Sequence, residues 1–373
     1  MSSKSAPKHK EPGVGRTIWQ DMRRGNLRQN VRREYADLKR HFLTDERKRR
    51  LERMGRIRRG LAITYWLFKT LILKLSPTRR LLLLIGIVLL PFLVEVTTDT
   101  GTTRLGYHRI IGLGLILFVL MLELKDKLLA RDELEAGRSV QQALLPPETI
   151  PIPGWEVWMH SESAREVGGD LVDLLEITSQ RFALILADVS GKGLGAALFT
   201  AQIQAIIRGL APDFTNLNQF ARKLNEIFYR VSLPNRFASL IYLELTPNSD
   251  TIQLLNAGHM PPLRIHHGVV QELPKGDPAL GLMPHITFHA REIHLQPGDT
   301  LVIYSDGLTE ARNEQGEFLG EEALQELLKM HAHRSAREIG EQIVHQLADF
   351  RKETPAFDDT SLIVLKRQVS PNL

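Results

Sequence analysis

Four apolar segments, far apart in the chain, each carry a carboxylate at one end. "FALILADVSG" reaches Asp188 and "TLVIYSDG" reaches Asp306, while "EVGGDLVD" brings Asp170 and Asp173 to the start of a third and "FDDTSLIVL" sets Asp358 and Asp359 before the last. A lone acid in such a place is an ordinary turn residue or helix cap. Four together constrain the fold, because strands of packed sheets end on a common rim. Carboxylates gathered there within about 5 Å raise one another's pKa unless a cation neutralises them. Oxygen ligands with no cysteine and no paired histidine select hard ions, Mg²⁺ or Mn²⁺ before Ca²⁺. A binuclear centre is the economical reading.

The stretch "ADVSGKGLGAAL" offers a competing one, a glycine turn cradling a nucleotide phosphate. "GKGLGA" fits the loose G-x-G-x-x-G/A pattern, yet the acid expected about 20 residues on at the end of a second parallel strand is missing. Asp188 would also stand where a pyrophosphate meets its charge. The chain has no cysteine, so thiolate nucleophiles, zinc–thiolate sites and disulfides are excluded, and group transfer here runs on oxygen, nitrogen or metal.

Strand-like runs come first in the C-terminal part ("GWEVWMHSE", "LVDLLEIT", "RFALILAD") and two helical stretches occupy 195–232. Strands return in "ASLIYLEL", "TIQLLNAG", "PLRIHHGVVQEL" with a turn at His-His-Gly, "ITFHAREIHL" and "TLVIYSDG"; two helices follow in 321–350, and "SLIVLKR" closes the domain. Runs of strands with helices grouped in pairs, without regular βαβ alternation, predict an α+β fold with mainly antiparallel sheets.

Charge divides the chain differently. Residues 1–80 hold 23 Lys and Arg against 7 Asp and Glu, so the remainder is acidic although the net charge is +5. Two long apolar runs follow, 81–96 and 110–122, separated by the polar "TTDTGTTRLGYHR". Neither has a polar face. With Arg79 and Arg80 before them and Lys125, Lys127 and Arg131 after, they read as a transmembrane helical hairpin over 79–124 with both ends in the cytoplasm. Each uninterrupted run is short of the roughly 18 to 20 residues of a span, so a pair of buried core helices is the competing reading. The segment 1–78 then reads as a basic cytoplasmic region facing anionic lipid; nucleic acid is disfavoured, since the basic head has no interleaved aromatics. The stretch 61–75, interrupted by Lys69 and Lys74, reads as interfacial. Residues 125–147 read as a linker helix stopped by Pro146 and Pro147, with a weak heptad pattern that leaves a homodimer through it open.

"AREVGGDLVD", "ADVSGKGLGAAL", "NAGHMPPL", "GDTLVIYSDGLTEARNEQGEFLG" and "FDDTSLIVLKR", in that order, resemble the PPM-type metal-dependent serine/threonine protein phosphatases, in the bacterial SpoIIE/RsbU-like branch. The likeness covers about 135–368. It implies an α-β-β-α sandwich over 148–368 and hydrolysis of phosphoserine or phosphothreonine on a partner protein, in this branch an anti-sigma-factor antagonist. It also implies two Mn²⁺ or Mg²⁺ ions, with Asp188 bridging, the Val189 carbonyl beside it, Asp170 on one ion, and Asp306 and Asp358, with Asp359 next to it, on the other. Water activated between the ions attacks in line, with no phosphoenzyme. Arg165 and Lys192 are candidates for substrate phosphate contact. Two departures stand out: Ser361 replaces the usual Thr of the final motif, and Val189-Ser190-Gly191 lacks the His that serves as general acid in the eukaryotic branch. A metal-binding signalling module without catalysis is the alternative. The whole chain is expected at the bacterial cytoplasmic membrane, with its N-terminus and phosphatase domain inside.

Overall fold

A computed structural model of the chain describes residues 54–90, 94–98, 101–105, 107–146, 151–232 and 236–369. The basic head over 1–53 lies outside the described residues. The chain divides into two compact units, Met1–Lys127 and Leu128–Leu373.

In the first unit, helix α1 (Arg56–Lys74) takes up the stretch read as interfacial, and α2 (Pro77–Leu89) starts on a proline whose fixed φ suits a first helical turn. The first apolar run is helical only as far as Leu89; Val94–Thr98 (β1) pairs antiparallel with Gly101–Leu105 (β2) before α3 (Tyr107–Leu144) begins. Pro91 cannot continue the hydrogen-bond ladder of a helix, so part of the run expected to be helix is strand. Helices α2 and α3 touch at glycines: a methyl group on Gly86 would lie 2.9 Å from the Gly112 carbonyl oxygen, and one on Gly112 2.6 Å from that of Gly86. At the other end of α2, Arg79 donates to Glu123 and Asp126 of α3, both at 2.7 Å.

The second unit is a sandwich. One five-stranded sheet has the order β10-β7-β6-β5-β4 and the other β3-β12-β11-β8-β9, with every pairing antiparallel. Their strands are β3 (Trp155–Glu162), β4 (Asp170–Thr178), β5 (Arg181–Val189), β6 (Ala238–Leu245), β7 (Thr251–Ala257), β8 (Leu263–His266), β9 (Val269–Glu272), β10 (Arg291–His294), β11 (Thr300–Tyr304) and β12 (Thr360–Arg367). The segment 286–295 contributes only the four residues of β10, less than its sequence suggests.

Period-two alternation sorts each strand between two cores. In β5, Phe182, Leu184 and Leu186 meet Ile303, Ile363 and Leu365 of the facing sheet, whereas Ala183, Ile185, Ala187 and Val189 meet Ile203 and Ile207 of α4 (Leu194–Leu210) and Phe220, Leu224 and Phe228 of α5 (Leu217–Val231). The outer face of the second sheet packs on Leu324 and Leu328 of one helix (Gly320–His331) and Ile339, Ile343 and Leu347 of another (Ala336–Arg351), the latter opened by a Ser335–Glu338 capping box. The α-β-β-α sandwich expected from the resemblance is the fold observed. Because Leu184 is fully buried between the sheets, Leu184→Ala is expected to cost about 2–5 kcal/mol, read as a lowered urea midpoint with an unchanged slope.

Candidate active site

The alternation that builds the inter-sheet core also decides which acids close it. Asp188 continues the series Phe182, Leu184, Leu186, and Asp170 precedes Val172 and Leu174 on the same face; the two acids are direct cross-strand partners. On the facing sheet, Ser305 follows Leu301 and Ile303, and Ser361 precedes Ile363 and Leu365. Asp306 comes next, opening a short helix α6 (Asp306–Thr309). Asp173 has the opposite parity: fully buried, it takes a bidentate ion pair from Arg208 of α4 at 2.8 and 2.9 Å and stands apart from the rim.

The rim acids feel one another. Burial first, then the charges of Asp306, Asp358 and Asp359, push Asp188 up to about 6. Burial, then Asp188, push Asp170 well above the ordinary carboxylate range, although the Ser361 hydroxyl pulls the other way; its Oδ2 is buried with no hydrogen-bond partner. Burial and Asp358 raise Asp306. Asp170, Asp188, Asp306, Asp358 and Asp359 thus lie near enough to act on one another through their charges. Among the described residues, no three acid or imidazole side chains are drawn closely enough together to cage an ion as they stand.

Asp359 is engaged otherwise than expected. Its Oδ1 accepts from the Ala164 amide at 2.8 Å and its Oδ2 from the Gly169 amide at 2.5 Å, so this carboxylate holds the loop that delivers Asp170. The close approach requires glycine: a methyl on Gly168 would sit 2.6 Å from Asp359 Oδ2, and one on Gly169 3.1 Å from the Val189 carbonyl oxygen. Arg165 lies exposed in the same loop. Lys192 reaches the rim, donating to Asp358 at 2.7 Å and to the Phe357 carbonyl at 3.0 Å, with its ammonium 4.1 Å from the Phe357 ring centre. Gly191 and Gly193 both have positive φ, which is how the chain turns from Asp188 into α4. Arg236 donates to the Ser190 carbonyl in that turn.

Sequence reasoning missed the grip of α3 on this loop. Gln141 donates through Nε2 to the Gly168 carbonyl at 2.9 Å and accepts from the Gly168 amide at 3.1 Å, and Gln204 of α4 donates to the Leu144 carbonyl at 3.0 Å. The linker-helix stretch read over 125–147 supplies this glutamine, but only the fold gives it a partner. Beside it lies a cavity of about 240 Å³ walled mainly by apolar side chains, among them Val140, Leu144, Leu171, Leu194 and Leu198.

Because Asp188 binds its proton more tightly folded than unfolded, the metal-free protein gains protons on folding between about pH 4 and 6. Its contribution to stability is present below that window and lost as pH rises through it. Asp188→Asn is expected to flatten this fall and to raise the metal-free melting temperature at pH 7, read by thermal scans in chelator across pH 4–8.

The family described as Stage II sporulation protein E (SpoIIE) matches residues 178–368, half of the chain. Protein IcfG of Synechocystis sp. is 29% identical over 274 residues, covering 66% of this chain and 43% of its own length. Phosphoserine phosphatase RsbU of Bacillus subtilis is 27% identical over 241 residues, covering 64% of this chain and 71% of RsbU. Among solved structures, the SiaA-PP2C domain of Pseudomonas aeruginosa has the same fold, with a TM-score of 0.55 at 21% identity over 65% of this chain and 98% of that one. The sandwich, its rim of strand-end acids and the family match agree: this chain belongs to the SpoIIE family.

Proposed function

We propose that the chain is a metal-dependent protein phosphatase that hydrolyses phosphoserine or phosphothreonine on a partner protein. The observation that carries this reading is the convergence of Asp170, Asp188, Asp306 and Asp358 on one rim of a SpoIIE-family sandwich. It is supported by RsbU, a relative named as a phosphoserine phosphatase. Such a partner would be an anti-sigma-factor antagonist, the substrate class that the family resemblance implies.

The donor chemistry suits two Mn²⁺ or Mg²⁺ ions. The ligands are oxygens only, Asp170, Asp188 and Asp306 are raised in pKa by burial and repulsion, and Asp170 Oδ2 has no partner of its own. Asp170, Asp188, Asp306, Asp358 and the Val189 carbonyl form the proposed ligand set; Asp359 is left to hold the loop. Divalent ions at this rim supply the Lewis acidity that makes water nucleophilic near neutral pH and offsets phosphoryl charge. The chain's own residues do the rest. Asp188 and Asp306 place negative charge at the end of the apolar inter-sheet core, and Lys192 is within reach to trade Asp358 for a phosphoryl oxygen. Arg165, exposed on the Asp170 loop, is the second candidate for that contact.

Two further parts of the reading concern placement. Helices α2 and α3 expose Leu81, Leu84, Ile85, Val88, Ile110, Ile111, Leu113, Leu117, Phe118, Leu120 and Met121, an apolar surface that supports burial of the hairpin in lipid, with the phosphatase domain cytoplasmic. With 13 residues, α2 is about 20 Å long, less than a hydrocarbon core of about 30 Å. Among the described residues, the one helical stretch long and apolar enough to cross a membrane is Leu194–Asp213, which packs in the sandwich core. Exposed Leu128, Leu129 and Val140 on α3 support a homodimer through the linker helix, and the Gln141 grip gives that helix a route to the rim.

The full chain in detergent is expected to release phosphate from a phosphoserine protein with Mn²⁺. Chelator, Asp188→Asn or Asp306→Asn should each cut the rate at least a hundredfold, corresponding to about 2.7 kcal/mol or more of barrier. Mn²⁺ binding without turnover would favour the non-catalytic module instead. Membrane fractionation checks the hairpin: the protein should resist high salt and carbonate and leave the membrane only with detergent, whereas full release by salt would reject lipid burial.

A further inference from the structure

The "NAGH" stretch, Asn256–His259, is absorbed by none of the chemistry above, yet it lies where the chain leaves β7 of one sheet for β8 of the other. His259 is buried, and both ring nitrogens are used. Nδ1 lies 2.7 Å from the Ser239 hydroxyl, and Nε2 lies 3.1 Å from the Tyr304 carbonyl oxygen. A carbonyl only accepts, so Nε2 carries the proton and donates, and Nδ1 accepts from Ser239. The backbone of His259 is itself pinned: its amide donates to Asn256 Oδ1 at 2.9 Å, and Asn256 Nδ2 donates back to the His259 carbonyl at 3.1 Å. Burial holds the imidazole neutral by taking its pKa down to about 4.

The two partners have particular addresses. Ser239 on β6 is the direct cross-strand partner of Asp188 on β5. Tyr304 ends β11, two residues before Asp306, and Ser305 between them is tied to the last strand by donating to the Asp359 carbonyl and accepting from the Ser361 amide. One imidazole thus joins the Asp188 end of the first sheet to the Asp306 end of the second. We infer that His259 is a positioning residue for the acid rim, a neutral strut that fixes the separation of the strand ends carrying Asp188 and Asp306.

The strut's two side-chain hydrogen bonds go to Ser239 and Tyr304, not to either acid, and its effect on metal affinity rests on the metal reading proposed above. Its mechanical effect does not. The test therefore joins hydrogen exchange of the full chain in chelator with Mn²⁺ titration by calorimetry. His259→Ala should speed exchange in peptides covering 237–241 and 303–308 while leaving 339–347 in the helix on the far side of the second sheet unchanged. It should also weaken Mn²⁺ binding about tenfold, the usual scale for losing an outer-shell partner. His259→Gln, whose amide can still donate to the Tyr304 carbonyl, should restore protection at 303–308 and part of the affinity. Ser239→Ala, a mild change that keeps the test available if the histidine variants fold poorly, should loosen 237–241 alone. Unchanged exchange at both peptides in His259→Ala would overturn the inference, as would faster exchange spread evenly through 339–347, the mark of a mere core histidine. If the wild-type chain binds no Mn²⁺ while the exchange pattern holds, the strut stands and the metal reading falls.

Discussion

Like charges crowded at the open end of an apolar gap are the constraint around which the second unit is arranged. Asp170, Asp188 and Asp306 are each raised in pKa by burial and by one another or by Asp358, so their company opposes folding at neutral pH. What holds them is the register of strands whose inter-sheet residues are buried: Leu184, Leu186, Ile303, Ile363 and Leu365, all fully buried, fill the core behind them. A divalent cation at this rim, as proposed above, would release that electrostatic free energy on binding, so that packing and the proposed function pull against each other.

A second layer of contacts holds the rim from outside. The Asp359 carboxylate secures the Ala164 and Gly169 amides, Thr200 of α4 donates to the Gly169 carbonyl at 2.6 Å, and Gln141 secures Gly168 through both its amide and its carbonyl. The loop bearing Asp170 is thus tied to the last strand, to α4 and to the end of α3. A displacement at the end of α3 would be felt at Gly168, two residues from an acid whose Oδ2 has no hydrogen-bond partner. The apolar cavity beside Gln141 leaves room for such a displacement.

The first unit answers to different rules. Its helices meet at Gly86 and Gly112, where backbone replaces side chain at the crossing, and through the Arg79 ion pairs. Close packing at small residues with apolar side chains facing outward is the pattern on which the proposed burial of this unit in lipid rests. In the sandwich the apolar side chains face inward and the glycines serve turns and the rim.

Much of this was legible in the sequence, and the limits are instructive. Most strands and the longer helices of the sandwich announce themselves in local sequence, the short helix Asp306–Thr309 being an exception, and the four strand-end acids were visible as a set. Even so, "FALILAD" is apolar throughout, so nothing in it says which residues face the helices and which the second sheet. Asp170 and Asp173 differ by odd spacing, and hence in face, but only the facing sheet makes one a rim acid and the other the partner of Arg208. The first apolar run reads as one helix, whereas the chain past Pro91 is in a strand from Val94 on. Residue type and alternation are local covalent properties, and they determined the elements, the acids and the family. The spacing of the rim, the engagement of Asp359, the grip of Gln141 and the bridge through His259 join residues from 20 to 195 positions apart; these only the packing of one sheet on the other, and of helices on both, could decide.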